Sequence, residues 1–126
     1  MKEQKFYICK HCKNLISKIN DGGAPLVCCG EEMTLLVPNT TEASTEKHIP
    51  VVTVDGNKVK VVIGSVAHPM IEAHFIQWIY LKTEKGGQRK SLVAGEAPEA
   101  VFVVENDKPI AVYAYCNLHG LWETEL

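Results

Sequence analysis

The chain predicts an all-β protein in two parts: a small cysteine-knuckle module over residues 1–37 and an immunoglobulin-like antiparallel β-sandwich over residues 38–126. Three observations carry this. Four of the five cysteines fall within the first 29 residues, in a stretch with little else to build a core. Beyond residue 48, short apolar runs alternate with Gly, Pro and Asn turns, the pattern of an antiparallel sandwich. No segment sustains the 3.6-residue period of an amphipathic helix.

In the first part, short apolar pieces at 6–8, 26–27 and 35–37 flank the cysteines, with a Gly22-Gly23 turn between them. A module this small buries too little surface to fold without a metal or disulfide staple. Residues 38–47, PNTTEASTEK, are polar and form a linker with room for one helical turn. The first strand, 49–54, meets Asp55-Gly56-Asn57, a hairpin signal. Residues 58–66 follow, with Val59, Val61 and Ile63 on one face and Lys58 and Lys60 on the other. Further strands are predicted at 74–81, 90–94, 99–105 and 110–116, separated by TEKGGQR, GEAP and NDKP.

Composition is that of an ordinary globular protein, 46% apolar and 22% charged. The formal net charge of −2 argues against a nucleic-acid or anionic-membrane partner. The N-terminus, MKEQKFYICK, has no apolar core of a secretory signal, and no run approaches the roughly 20 apolar residues that cross a bilayer. The expected compartment is the cytoplasm, where clustered cysteines more often bind metal than pair as disulfides. The odd count of five cysteines agrees.

Cys9-Lys10-His11-Cys12 and Cys28-Cys29-Gly30 are separated by 15 residues. A two-residue spacer turns both thiolates of the first pair toward one ion, and the second pair closes a tetrahedral sulfur site suited to zinc or iron. Spacing leaves the choice of metal open; the plainer alternatives are a structural zinc knuckle or free reactive thiols at the vicinal pair. Adjacent side chains of extended backbone point apart, so the chain at Cys28-Cys29 must turn sharply, with Gly30 to absorb strain. His11 lies inside the knuckle, but four sulfurs complete the site; it is expected to face solvent.

The remaining histidines, His48, His68, His74 and His119, all sit at predicted strand ends or turns, and His119 follows Cys116 by three residues. Singly, each reads as a surface or core histidine, and Cys116 as a small buried hydrophobe. Together they make a second donor set. Four imidazoles and a thiolate exceed zinc's usual four ligands and leave one position of an octahedron open, which suits iron. A thiolate ligand would push electron density toward that position, as the axial thiolate of a P450 haem does. Glu46 and Lys47 precede His48; their plain reading is a solvated charge pair, and their functional one a cation that draws in an anion and a carboxylate within reach of the metal. A two-histidine-one-carboxylate oxygenase and a metal hydrolase match this donor set poorly.

The motifs CKHC…CCG, EKHIPV, GSVAHPM, HFIQWIYL, APEAVF and YCNLHGLW run from Phe6 to Trp122 and closely resemble the desulfoferrodoxin family, the two-iron superoxide reductases. The resemblance implies a desulforedoxin-like FeCys4 domain at 1–37, with Cys9, Cys12, Cys28 and Cys29 as ligands. It implies a superoxide reductase domain at 38–126, with His48, His68, His74 and His119 equatorial and Cys116 axial to a second iron. It makes Lys47 the residue that attracts superoxide and helps protonate the bound intermediate, and Glu46 the carboxylate that binds the ferric resting state. The implied activity is one-electron reduction of superoxide to hydrogen peroxide without dioxygen evolution. The implied partners are a rubredoxin-like electron donor and a second copy of the chain. One departure is Lys13, where the family usually carries glycine after the second cysteine; a left-handed Lys13 would cost on the order of 1 kcal/mol. The rival from another class is an electron-transfer or metal-stapled interaction module without superoxide turnover.

Overall fold

Strand pairing in the first 37 residues is minimal. In the computed structural model, which describes residues 4–43 and 45–126, strands β1 (Tyr7–Ile8), β2 (Leu15–Ile16) and β5 (Thr34–Leu35) form an antiparallel sheet in the order β2-β1-β5. Strands β3 (Val27–Cys28) and β4 (Glu31–Glu32) form a separate hairpin. Each strand is only two residues long, and the buried apolar residues here are Phe6 and Cys9 alone among those described. Residues 1–37 form one compact unit and 38–126 another. Within the linker, a single helical turn, α1 (Thr45–His48), closes with Ile49 N–H donating to the Thr45 carbonyl at 3.0 Å; Ser44 of that linker lies outside the described residues.

The second unit is a sandwich of two antiparallel sheets. One holds β6 (Pro50–Asp55), β7 (Lys58–Ile63) and β10 (Glu99–Val103), in the order β10-β7-β6. The other holds β8 (Ile76–Thr83), β9 (Gly86–Ser91), β11 (Pro109–Cys116) and β12 (Gly120–Glu125), in the order β12-β11-β8-β9. Hairpins β6-β7 and β8-β9 lie in different sheets, and β10 and β11 return to pair with β7 and β8, giving the immunoglobulin-like Greek-key arrangement. Val59, Val61 and Ile63 of β7 face Ile79, Leu81, Val112 and Ala114 across a core completed by Phe102, Ile76 and Cys116. The alternation read along β7 is therefore the alternation of burial.

The predicted strand 58–66 ends at Ile63, 74–81 starts at Ile76 and 99–105 ends at Val103, and two strands differ more. The fourth lies at 86–91 rather than 90–94, with its turn at Glu84-Lys85. It is a sheet edge whose residues from Gly87 to Ser91 are all exposed, so it carries no apolar alternation to detect. A seventh strand, β12, pairs with β11 over six register positions from Ala111↔Glu125 to Cys116↔Gly120. Its partner hairpin turn, 117–119, is the segment read only as ligand spacing.

Candidate metal centre

In the first unit the sulfurs of Cys9, Cys12, Cys28 and Cys29 lie within 4.8 Å of one another. The vicinal pair manages this because Cys29 itself adopts φ 53° and Gly30 φ 75°, so the chain reverses within two residues. Lys13 takes φ 68°, the left-handed conformation that family glycine would hold without strain, and its N–H donates to the Cys9 carbonyl at 2.9 Å. His11 is exposed and hydrogen-bonds the Glu31 carboxylate, away from the sulfurs. Hydrogen bonding from the Cys12 backbone amide holds the Cys9 thiol down at about 6. The neighbouring Cys12, Cys9 and Cys28 sulfurs push Cys29 up to about 12. Four such sulfurs cannot all be thiolates without a cation between them; the cluster fits a metal.

In the second unit four imidazoles form a pinwheel. Going round it, the ring centroids are 4.6 Å apart for His48–His68, 4.8 Å for His68–His74, 4.9 Å for His74–His119 and 4.9 Å for His119–His48. Each adjacent pair is near perpendicular, with interplanar angles from 78° to 87°. Across the square, His48 and His74 stand 6.3 Å apart at 29°. The Cys116 sulfur lies within 4.8 Å of donors on His48, His68 and His74, and 4.0 Å from His119 Nδ1. A fifth donor close to every corner of a square stands on its axis.

Local structure delivers each donor. His48 closes α1, and its ring lies on the Trp122 indole at 4.9 Å and 23°. His68 Nδ1 is 2.6 Å from the Pro69 carbonyl, which accepts a hydrogen bond from Nδ1–H and leaves the lone pair on Nε2. His68 Nε2 and His74 Nε2 are buried with no hydrogen-bond partner. His119 Nδ1 points inward, 3.1 Å from His48 Nε2. The nitrogens that face one another are therefore Nε2 of three imidazoles and Nδ1 of the fourth. Cys116 ends β11 on the same inward face as Val112 and Ala114. A bulge between Tyr115 and Cys116 pairs Cys116 with Ile76, skipping Gln77.

Two buried imidazole nitrogens aimed at one another's neighbours with nothing to bond are costly unless a cation binds them. Desolvation by burial, reinforced by the neighbouring imidazoles, holds His68 down at about 4 despite the Pro69 carbonyl. His74 is lowered by burial, then by His119 and the Lys47 ammonium. Both are therefore neutral and able to donate at neutral pH. Burial raises the Cys116 thiol, opposed by the backbone amides of His119 and Leu118. Such a thiol is protonated until a metal displaces its proton. The residues fit a metal with one thiolate and four imidazole ligands.

Glu46 and Lys47 are exposed on α1 beside this cluster, and Lys47 is near enough to depress His74. Their turn rests on Gly64, whose N–H bonds the Ile49 carbonyl at 3.0 Å, while Val66 N–H bonds the Glu46 carbonyl at 3.1 Å. Gly64 has φ 82°, and a Cβ there would stand 2.7 Å from the Lys47 carbonyl oxygen and 2.8 Å from that of Glu46. Sequence reading missed Gly64, Trp122 and Asn117 as supports. Only the GSVAHPM and CNLHGLW motifs hinted at them.

The desulfoferrodoxin family model matches residues 40–125, and the model of its N-terminal domain matches residues 1–36. A desulfoferrodoxin of Nitratidesulfovibrio vulgaris is 46% identical over 123 residues, covering 98% of this chain and 97% of the relative. A desulfoferrodoxin homolog of Archaeoglobus fulgidus is 45% identical over 94% of both. The solved superoxide reductase of Treponema pallidum superposes with a TM-score of 0.82 at 40% identity, covering 98% of this chain and all of that one. The two donor sets match the family's two iron centres, one with four cysteines and one with four histidines and a cysteine. The chain belongs to the desulfoferrodoxin family.

Proposed function

We propose that this chain is a superoxide reductase, converting superoxide to hydrogen peroxide with one electron and two protons and releasing no dioxygen. The observation that carries it is the pinwheel of four imidazoles over the Cys116 sulfur, whose five donors leave one position of an octahedron free. Residues 1–37 are the desulforedoxin-like domain holding iron through Cys9, Cys12, Cys28 and Cys29, and residues 38–126 the catalytic domain. His48, His68, His74, His119 and Cys116 would hold the second iron, which would supply the single electron.

The chain's own groups do the rest. The Lys47 ammonium, exposed beside His74, attracts the anionic substrate and orders water that delivers protons. Glu46, its exposed neighbour, is the carboxylate that would serve as a further ligand to the oxidised metal. The Cys116 sulfur, wholly buried, is kept from water and oxidant by Val112, Ala114 and Ile76. An external rubredoxin-like donor returns the electron. A second copy of the chain completes a homodimer, and five cysteines outside any disulfide suit a cytoplasmic site. Among the described residues, no helix is long and apolar enough to cross a membrane.

The test is stoichiometry. A reductase yields one peroxide per superoxide and no dioxygen; a dismutase yields half as much peroxide with dioxygen evolved. No consumption of superoxide by the iron-loaded, reduced protein would leave the electron-transfer module as the better reading.

A further inference from the structure

We infer that Asn117 is a positioning residue that locks the His74 ligand to the turn carrying Cys116 and His119. The inference rests on the second metal site proposed above. Asn117 lies between those two donors in sequence, and its side chain bonds to both neighbours of a third. Its Nδ2 donates to the Ala73 carbonyl at 3.0 Å, and its Oδ1 accepts from the Phe75 N–H at 3.0 Å. Its own N–H reaches the Phe75 carbonyl at 3.3 Å. His74 is thus bracketed on both sides by one side chain from the opposite loop.

The bracket matters because little else holds 71–75. That segment has a single isolated bridge, Ile71↔His74, and no strand of its own before Ile76. Residues 71–73 are exposed, and His74 Nε2 has no protein partner to fix its ring. The same clasp holds the start of the 117–119 turn, which brings His119 Nδ1 to 4.0 Å from the Cys116 sulfur. Loosening it would release one imidazole and disturb the thiolate at once.

A built-in control exists. Asn39 makes a matching clasp, with Nδ2 donating to the Glu123 carbonyl at 3.1 Å and Oδ1 accepting from the Glu123 N–H at 2.8 Å, on β12 rather than around a ligand. Because Asn39 has φ 62°, Asn39→Gly removes that clasp without backbone strain. The experiment compares the iron-loaded parent, Asn117→Ala, Asn117→Asp and Asn39→Gly. It measures second-site iron affinity by competition with a ferrous chelator, the thiolate-to-iron charge-transfer band, and hydrogen exchange of the Phe75 amide.

Asn117→Ala is expected to weaken iron binding by roughly 10- to 100-fold, the usual effect of removing a group that orients a ligand. It should also shift the band and speed Phe75 exchange. Asn117→Asp keeps the acceptor and loses the donor, so it should fall between, and it carries the test if the alanine variant does not fold. Asn39→Gly should leave affinity and band unchanged. Asn117 variants indistinguishable from the parent, or an Asn39→Gly loss of equal size, would overturn the inference. A parent lacking the band altogether would instead overturn the site itself.

Discussion

The two metal sites of this chain are built in opposite ways. In residues 4–37 the donors precede the fold: five strands of two residues each, and a buried apolar set of Phe6 and Cys9, leave the four sulfurs as the common centre of the module. In residues 38–126 the fold precedes the donors. Seven strands enclose a core of Val59, Val61, Ile63, Ile79, Leu81, Phe102 and Val112, and the imidazoles hang from α1 and from loops outside the strands. A metal makes the first structure; the second structure makes a place for a metal. The difference suits chemistry, because a site shaped by an independent core can keep one position open, whereas a site that must hold the chain together uses every ligand.

Removing metal should break the comparison most sharply. Stripping the first site removes a binding free energy of about 10 kcal/mol or more, enough to unfold the first unit, and Cys9→Ser removes part of it. Amide dispersion in a two-dimensional NMR spectrum should collapse for residues 4–37 and persist for β6–β12. Retained dispersion in both would show that the knuckle folds without its ion.

Cys116→Ser comes next, since it sharpens the claim that the second site sits on a finished core. The thiolate-to-iron band should vanish, while burying a hydroxyl in the space of the thiol costs about 1–3 kcal/mol without unfolding the sandwich. Urea melts and the visible spectrum together check this; a surviving band would displace Cys116 from the axial role.

Lys47→Ile concerns the open position alone. Superoxide capture should slow roughly 10-fold and lose its dependence on ionic strength, with melting unchanged. Pulse radiolysis over a salt series measures it.

A further effect lies in the metal-free second unit. His68 has a folded pKa near 4 against an ordinary value of 6.5, so the unfolded chain binds the proton first. Stability is therefore complete above about pH 6.5 and falls as pH drops toward 4. Thermal melts of the apoprotein at pH 7.5, 5.5 and 4.5 should show that order, and iron should carry the fall on below pH 4, because a ligated ring stays neutral while the unfolded chain still takes up the proton.

Much of the site was legible before any coordinates. Cysteine spacing announces a sulfur cluster because ligand geometry demands it, and Cys116-x-x-His119 does the same at the other end of the chain. Val59, Val61 and Ile63 declare a strand through alternation because one face is buried. β9 escaped detection because an edge strand with both faces in water has no such signature. β12 escaped because its opening, Gly120, Leu121 and Trp122, was read as the tail of a ligand motif.

The amino-acid order by itself determined the donors, the two-part organisation of the predicted chain and the sheet character, since these follow from residue type and local period. Only the tertiary structure decided how the donors meet. It chose Nε2 of His48, His68 and His74 but Nδ1 of His119, set the Gln77 bulge of β8 opposite the end of β11 at Cys116, and laid Glu46 and Lys47 on Gly64. Those choices depend on strand register and loop closure between residues as far apart as His48 and His119, and no short stretch of sequence encodes such a distance.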